Sequence, residues 1–180
     1  MHNNLTPVLD VCCGSRAFWF NKKDTRSTFL DVRNTTIPLP NRNPLEIHPD
    51  IMANFQNLPF PDESFYLVVF DPPHVQAAQT GNVLSYYGTL DENWREMLRN
   101  GFSECFRVLK PNGTLIFKWA ETKISVSEVL KLTPEKPLFG HKSGKLSKTH
   151  WMTFTKPNNA CSGLAPAGAS DSQGASGASR

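Results

Sequence analysis

The sequence has no long apolar run, no spaced cysteine pair, little net charge and few histidines, and each absence removes a class of protein. A membrane-spanning helix needs about 20 consecutive apolar residues, so none is expected. The opening Met1-His2-Asn3-Asn4-Leu5-Thr6-Pro7 lacks both the basic start and the apolar core of a signal peptide, which makes a reducing, cytoplasmic location the default expectation. Four cysteines, Cys12, Cys13, Cys105 and Cys161, form no ligand pair, because adjacent cysteines rarely chelate one zinc ion, and His48, His141 and His150 are scattered. No metal is therefore expected. A formal charge of +3 permits contact with a polyanion but is too small to drive strong non-specific nucleic-acid binding. What remains is 180 residues, 39% hydrophobic, enough for one ordinary core and no second domain of useful size.

Within that core the most informative stretch is Asp71-Pro72-Pro73-His74, which follows the apolar run Phe65-Tyr66-Leu67-Val68-Val69-Phe70. It places a carboxylate and a rigid turn at a strand's carboxyl end, where open α/β sheets bind ligands. Proline restricts both its own φ and its neighbour, so Asp71 and the Pro72 carbonyl can be held side by side as a double acceptor. Such a pair suits a group with two N–H donors, such as the exocyclic amine of a nucleobase. The same residues also fit a strand that merely ends in a Pro-Pro turn.

Pro7-Val8-Leu9-Asp10-Val11-Cys12-Cys13-Gly14-Ser15 reads as a short buried strand followed by a turn of small residues, then an aromatic stretch Phe18-Trp19-Phe20. Residues 27–32 form a second strand with Asp31 at its carboxyl end, 34–49 read as a Pro- and Asn-rich loop, and 50–55 as a weak third strand carrying Asn54. The spacing Trp94, Met97, Leu98, Phe102, Cys105, Phe106, Leu109 predicts a helix from Asp91, whose aromatic stripe is core. A fifth strand over 114–119, a short helix over 125–132 and two closing strands over 137–142 and 150–156 complete a domain spanning 1–157. Residues 158–180 hold 15 Gly, Ala or Ser in 23, a composition expected to leave a disordered tail.

Asp10-Val11-Cys12-Cys13-Gly14 resembles the first motif of class I S-adenosylmethionine-dependent methyltransferases. Residues 58–65 resemble the approach to their fourth strand, and 106–115 the helix end, turn and fifth strand. Asp71-Pro72-Pro73-His74 resembles the Asp-Pro-Pro-aromatic motif of amino-methyltransferases acting on N6 of adenine or a comparable amine, and the whole is similar to small stand-alone enzymes of bacteria and their phages. The resemblance implies an α/β Rossmann-like sheet, mostly parallel, with an antiparallel C-terminal hairpin and helices on both faces. It implies S-adenosylmethionine as cofactor, held by Asp10, Cys12, Gly14, Asp31 on the ribose and Asn54 on the adenine. It also implies that Asp71, Pro72, Pro73 and His74 grip the target amine. Asp31 also fits a turn-initiating role and Asn54 a plain loop position.

Three departures from the family pattern stand out: Cys12 and Arg16 replace glycines, which would bring a cation near the cofactor, and His74 replaces Tyr, Phe or Trp. Beyond the prolines, Tyr86 and Tyr87 could stack on a base or pack on the next helix, and Lys142, Lys145 and Lys148 could track phosphates or simply be solvated. The expected activity is methyl transfer to an exocyclic nucleobase amine, most simply N6 of adenine in DNA or RNA. Transfer to a small-molecule or protein amine, and an inactive cofactor-binding module, are the alternatives.

Overall fold

The computed structural model describes residues 5–75, 89–144 and 146–158. Tyr86, Tyr87, Lys145 and nearly all of the tail lie outside them. β1 (Val8–Asp10), β2 (Ser27–Asp31), β5 (Ile51–Met52), β6 (Phe65–Phe70), β7 (Leu109–Ala120), β8 (Phe139–Lys142) and β9 (Thr149–Thr155) form one sheet in the order β5-β2-β1-β6-β7-β9-β8. Pairing is parallel from β5 through β7. β9 runs antiparallel to both β7 and β8, giving the expected reversed C-terminal hairpin. Because four parallel strands end at one edge, Asp10, Asp31, Asp71 and Lys118 all arrive there, and the turn of the β8–β9 hairpin, which carries Lys142 and Lys148, lies at the same end of β7.

Residues 34–49, which read as a loop, contain a second, two-stranded sheet of β3 (Thr35–Ile37) and β4 (Leu45–Ile47). The β-branched Thr35-Thr36-Ile37 favours extended backbone, and Ile47 is fully buried. Its dense prolines and the left-handed Asn41 form the hairpin's connection and hide the strands from a reading of composition.

Helix α1 (Trp94–Val108) buries Trp94, Leu98, Gly101, Phe102, Cys105 and Val108, a face recurring every three to four residues. It begins three residues later than its acidic start suggested, because the Asp91 carboxylate accepts the Asn93 N–H and closes a turn ahead of the helix. A side chain at Gly101 would meet Phe70 Cζ at 2.7 Å and Phe55 Cδ2 at 2.8 Å, so only hydrogen lets α1 approach β6 this closely. The short α2 (Val126–Val129) opens on a Ser125 capping box and runs into a 3-10 turn, Leu130–Leu132. Both helices bury their apolar sides in one cluster with Leu9, Leu30, Val68, Phe70, Leu115, Phe117, Trp119 and Phe154 of the sheet.

Helical cover is thus met on one sheet face among the described residues. On the other, the connection over 11–26 is a chain of turns with no helix, because Gly14 and Arg16 both take left-handed φ values, +50° and +55°. Its aromatic residues replace a helix: Trp19 packs edge-on against Phe29 at 4.8 Å and Phe18 against Trp151 at 5.3 Å. Arg107 fastens the segment before β6 to α1, donating to the Phe60 and Leu58 carbonyls and pairing with Asp62 and Glu104. Among the described residues no helix is long and apolar enough to cross a membrane.

Candidate active site

Asp71 lies at the carboxyl end of β6 in the wall between two clefts. The larger, about 480 Å³, is lined by Cys12, Cys13, Gly14, Phe18, Asp71, Pro72, His74 and Lys118 together with the β3–β4 hairpin. The smaller, about 280 Å³, is lined by Asp31, Ala53, Asn54, Asp71, Pro73 and Met97. Among the described residues only Cys12, Arg33 and Asp71 face both.

One oxygen of Asp71, Oδ2, accepts a hydrogen bond from Lys118 Nζ at 2.5 Å, while Oδ1 and the Pro72 carbonyl accept none among the described residues. These are the two groups the sequence reading assigns to a double acceptor, and a cation is fixed on the other oxygen of Asp71. Burial pushes the Asp71 carboxyl above its ordinary value and Lys118 pulls it back down. His74 is pushed down by burial, with Asp71 partly restoring it, which favours a neutral imidazole near neutral pH. Its ring stands edge-on to Trp119, 6.3 Å between centroids, and its carbonyl accepts the Thr122 hydroxyl.

The expected cofactor residues divide. Gly14 takes a left-handed φ, and a Cβ there would meet nothing within 4 Å, so the turn opens onto free space. Cys12 lines both clefts and Asn54 the smaller. Burial keeps the Cys12 thiol well above its ordinary pKa and lifts Cys13 to about 12, so both stay protonated. Asp31 is more committed than a ribose ligand should be. Its Oδ2 accepts the Gly14 N–H and Arg33 Nη2, and its Oδ1 accepts the Arg33 N–H and Nε. A ribose diol would be held there only with the Arg33 fork turned out. Arg16 does not bring its charge to the cofactor side: it stacks over Phe29 at 3.8 Å and bonds the His48 carbonyl and Asp50.

Asp10 lines neither cleft. It is fully buried, with Oδ2 accepting the Trp19 indole N–H at 2.8 Å and Oδ1 the Cys12 N–H. Its first task in this geometry is to hold the turn that follows β1. Burial lifts its pKa from 3.8 to about 7, the two hydrogen bonds pulling back and the Asp71 and Asp31 charges adding to the rise. Because the folded value exceeds the unfolded one, this group's stabilising contribution is present in acid and is lost as pH rises toward 7. Asp10→Asn, which cannot ionise, should remove that dependence. Between pH 5 and 7 urea denaturation should show wild type losing roughly 2 kcal/mol more stability than the variant; parallel pH profiles would rule out a titrating Asp10.

Lys118, Arg33 and Phe18 were not singled out from the sequence. Lys118 carried the clearest signal, being a charge at the end of the otherwise apolar Leu115-Ile116-Phe117 run. Among the described residues no group of His, Cys, Asp and Glu could hold a metal ion.

The fold resembles that of solved structures. The N-methyltransferase NodS from Bradyrhizobium japonicum, in complex with S-adenosyl-l-homocysteine, aligns with a TM-score of 0.54 at 15% identity, over 85% of this chain and 79% of that one. A SAM-dependent methyltransferase from Methanosarcina mazei aligns with a TM-score of 0.51 at 15% identity, over 87% and 96%. A TehB-like SAM-dependent methyltransferase from Corynebacterium glutamicum gives 0.51 at 14%, over 84% and 80%. No protein-family model matches the chain, and no curated protein matches it. The fold is therefore that of class I methyltransferases, established by architecture with little shared sequence.

Proposed function

We propose that this protein is an S-adenosylmethionine-dependent methyltransferase acting on an exocyclic nucleobase amine, most simply N6 of adenine. The observation that carries the reading is the position of Asp71, which faces both clefts, with Oδ1 and the Pro72 carbonyl lacking a donor among the described residues. Two observations support the cofactor: Gly14 leaves open space above its turn, and Asn54 and Met97 line a second cleft of about 280 Å³. S-adenosylmethionine, when bound, supplies an electrophilic methyl group.

The chain's own contribution is positioning. Asp71 Oδ1 and the Pro72 carbonyl draw the two N–H groups of the amine out of conjugation, leaving its lone pair available for attack. The Asp71 carboxylate also stabilises the positive charge that develops on nitrogen as the new bond forms, where a buried, fixed charge is most effective. Once the nitrogen is methylated and acidic, Asp71 Oδ1 can take its proton. His74, which lines the larger cleft, is the residue this reading assigns to contact with a base taken out of its stack. Lys142 and Lys148 at the hairpin turn supply positive charge at the same edge of the sheet for a nucleic-acid backbone.

The deciding experiment is transfer of labelled methyl from S-adenosylmethionine to duplex DNA, single-stranded DNA and RNA, with the product nucleoside identified by mass. N6-methyladenine in one of them is the expected result. No transfer to any, with S-adenosylhomocysteine still bound, would overturn nucleobase methylation in favour of a small-molecule or protein amine. The saturated Asp31 favours one further reading, an inactive module, and absence of S-adenosylhomocysteine binding by calorimetry would select it.

A further inference from the structure

We propose that Lys118 is a specificity residue that reads the ring nitrogen next to the target amine, so that the site selects an amidine-type edge, an –NH2 beside an acceptor, over an isolated amine. This rests on the nucleobase reading above and narrows it.

The argument begins with placement. Along β7, Leu115, Phe117 and Trp119 point into the core, so alternation sends Lys118 to the opposite face, at the register position Lys118↔Trp151 and one residue beyond the Phe70↔Phe117 pair that precedes Asp71. Its stem and head are confined: Nζ sits 5.4 Å from the Phe18 ring centre and 5.6 Å from that of Trp151, and the side chain is 24% exposed. Yet among the described residues Asp71 Oδ2 is its only hydrogen-bond acceptor. An ammonium carries three N–H groups, so two have no partner among the described residues, in a cleft that Lys118 helps to line.

Taken with Asp71, this is a composite edge. Asp71 Oδ1 and the Pro72 carbonyl accept, and Lys118 Nζ, one hydrogen bond away on the same carboxylate, donates. The complementary ligand presents an –NH2 and, on the same carbon, a ring nitrogen with a lone pair. Adenine (N6 and N1) and cytosine (N4 and N3) have that edge; a lysine side chain or a terminal amine does not. If Lys118 served only as a counter-ion for Asp71, its loss would slow all amine substrates alike. If it reads the ring nitrogen, its loss must act selectively.

The test compares wild type with Lys118→Met, whose side chain keeps similar length between Phe18 and Trp151, on a single-stranded oligonucleotide with one adenine and on the same oligonucleotide with 1-deazaadenine. Two readouts are taken: methyl transfer, and affinity in the presence of S-adenosylhomocysteine. Wild type should prefer adenine over 1-deazaadenine by between about 10- and 100-fold more than the variant does, the size of one charge-assisted hydrogen bond. Using the ratio of ratios cancels the different intrinsic nucleophilicity of the two amines and any change in Asp71 protonation. Equal discrimination by the two proteins would overturn the assignment while leaving nucleobase methylation standing. Failure of wild type to methylate or bind the adenine oligonucleotide would remove both.

Discussion

Asp71→Ala is expected to lower methyl transfer by roughly 10²- to 10³-fold, the range found when one preorganised electrostatic contact to a developing charge is deleted, while binding of S-adenosylhomocysteine is retained. The asymmetry follows from what the carboxylate does. In the proposed reaction it meets the amine through Oδ1 while balancing Lys118 through Oδ2, and neither task belongs to the ground-state hold on the cofactor, which the same proposal gives to the Gly14 turn and the cleft around Asn54. Asp71→Asn should fall between, because an amide oxygen still accepts a hydrogen bond but carries no full charge. Single-turnover rates for the three proteins, with calorimetric titration of S-adenosylhomocysteine, separate the effects. An alanine variant as active as wild type would remove Asp71 from the chemistry.

A loss of about 3–5 kcal/mol in stability is expected for Phe102→Ala, the range for truncating a fully buried phenylalanine to alanine. Phe102 is 1% exposed and lies at the centre of an aromatic cluster, 4.8 Å from Phe117, 5.5 Å from Phe70 and 6.2 Å from Phe154 between ring centres. Collapse around the cavity is opposed on all sides: α1 is already held at contact distance through Gly101, and the partner rings belong to three hydrogen-bonded strands. At about 2–4 °C per kcal/mol for a chain of this size, the melting temperature should fall by roughly 10 °C. Phe70 is also the residue before Asp71, so the variant's activity should fail at lower temperature than its secondary structure. A melting temperature within a degree or two of wild type would mean that the cluster repacks freely.

Much of this was legible in the sequence, and for identifiable reasons. The β6 strand and the Asp-Pro-Pro turn were visible because an unbroken apolar run and two prolines are local signals. α1 was visible because its buried face repeats with helical period, although its first turn was misplaced by the Asp91 side chain. The β3–β4 hairpin was not visible: three-residue strands between prolines carry almost no periodicity, and their pairing is set by contacts across the turn. The individual fates of Phe18, Trp19 and Phe20 were equally hidden. Adjacent in the chain, they respectively line a cleft, bond a buried carboxylate and stand fully exposed. In the site, residue types at strand ends could be named from sequence, whereas their mutual engagement could not. That Arg33 closes on Asp31, and Lys118 on Asp71, depends on register between strands distant in sequence.

Arg33 carries a last consequence. Its guanidinium grips Asp31 on the side of the smaller cleft, yet the same side chain forms part of the wall of the larger. A ligand that turns the fork away from Asp31 in one cleft therefore reshapes the surface met by a ligand in the other. Ligands in the two clefts would then be thermodynamically linked through one side chain, and by reciprocity each would alter the other's affinity by the same factor.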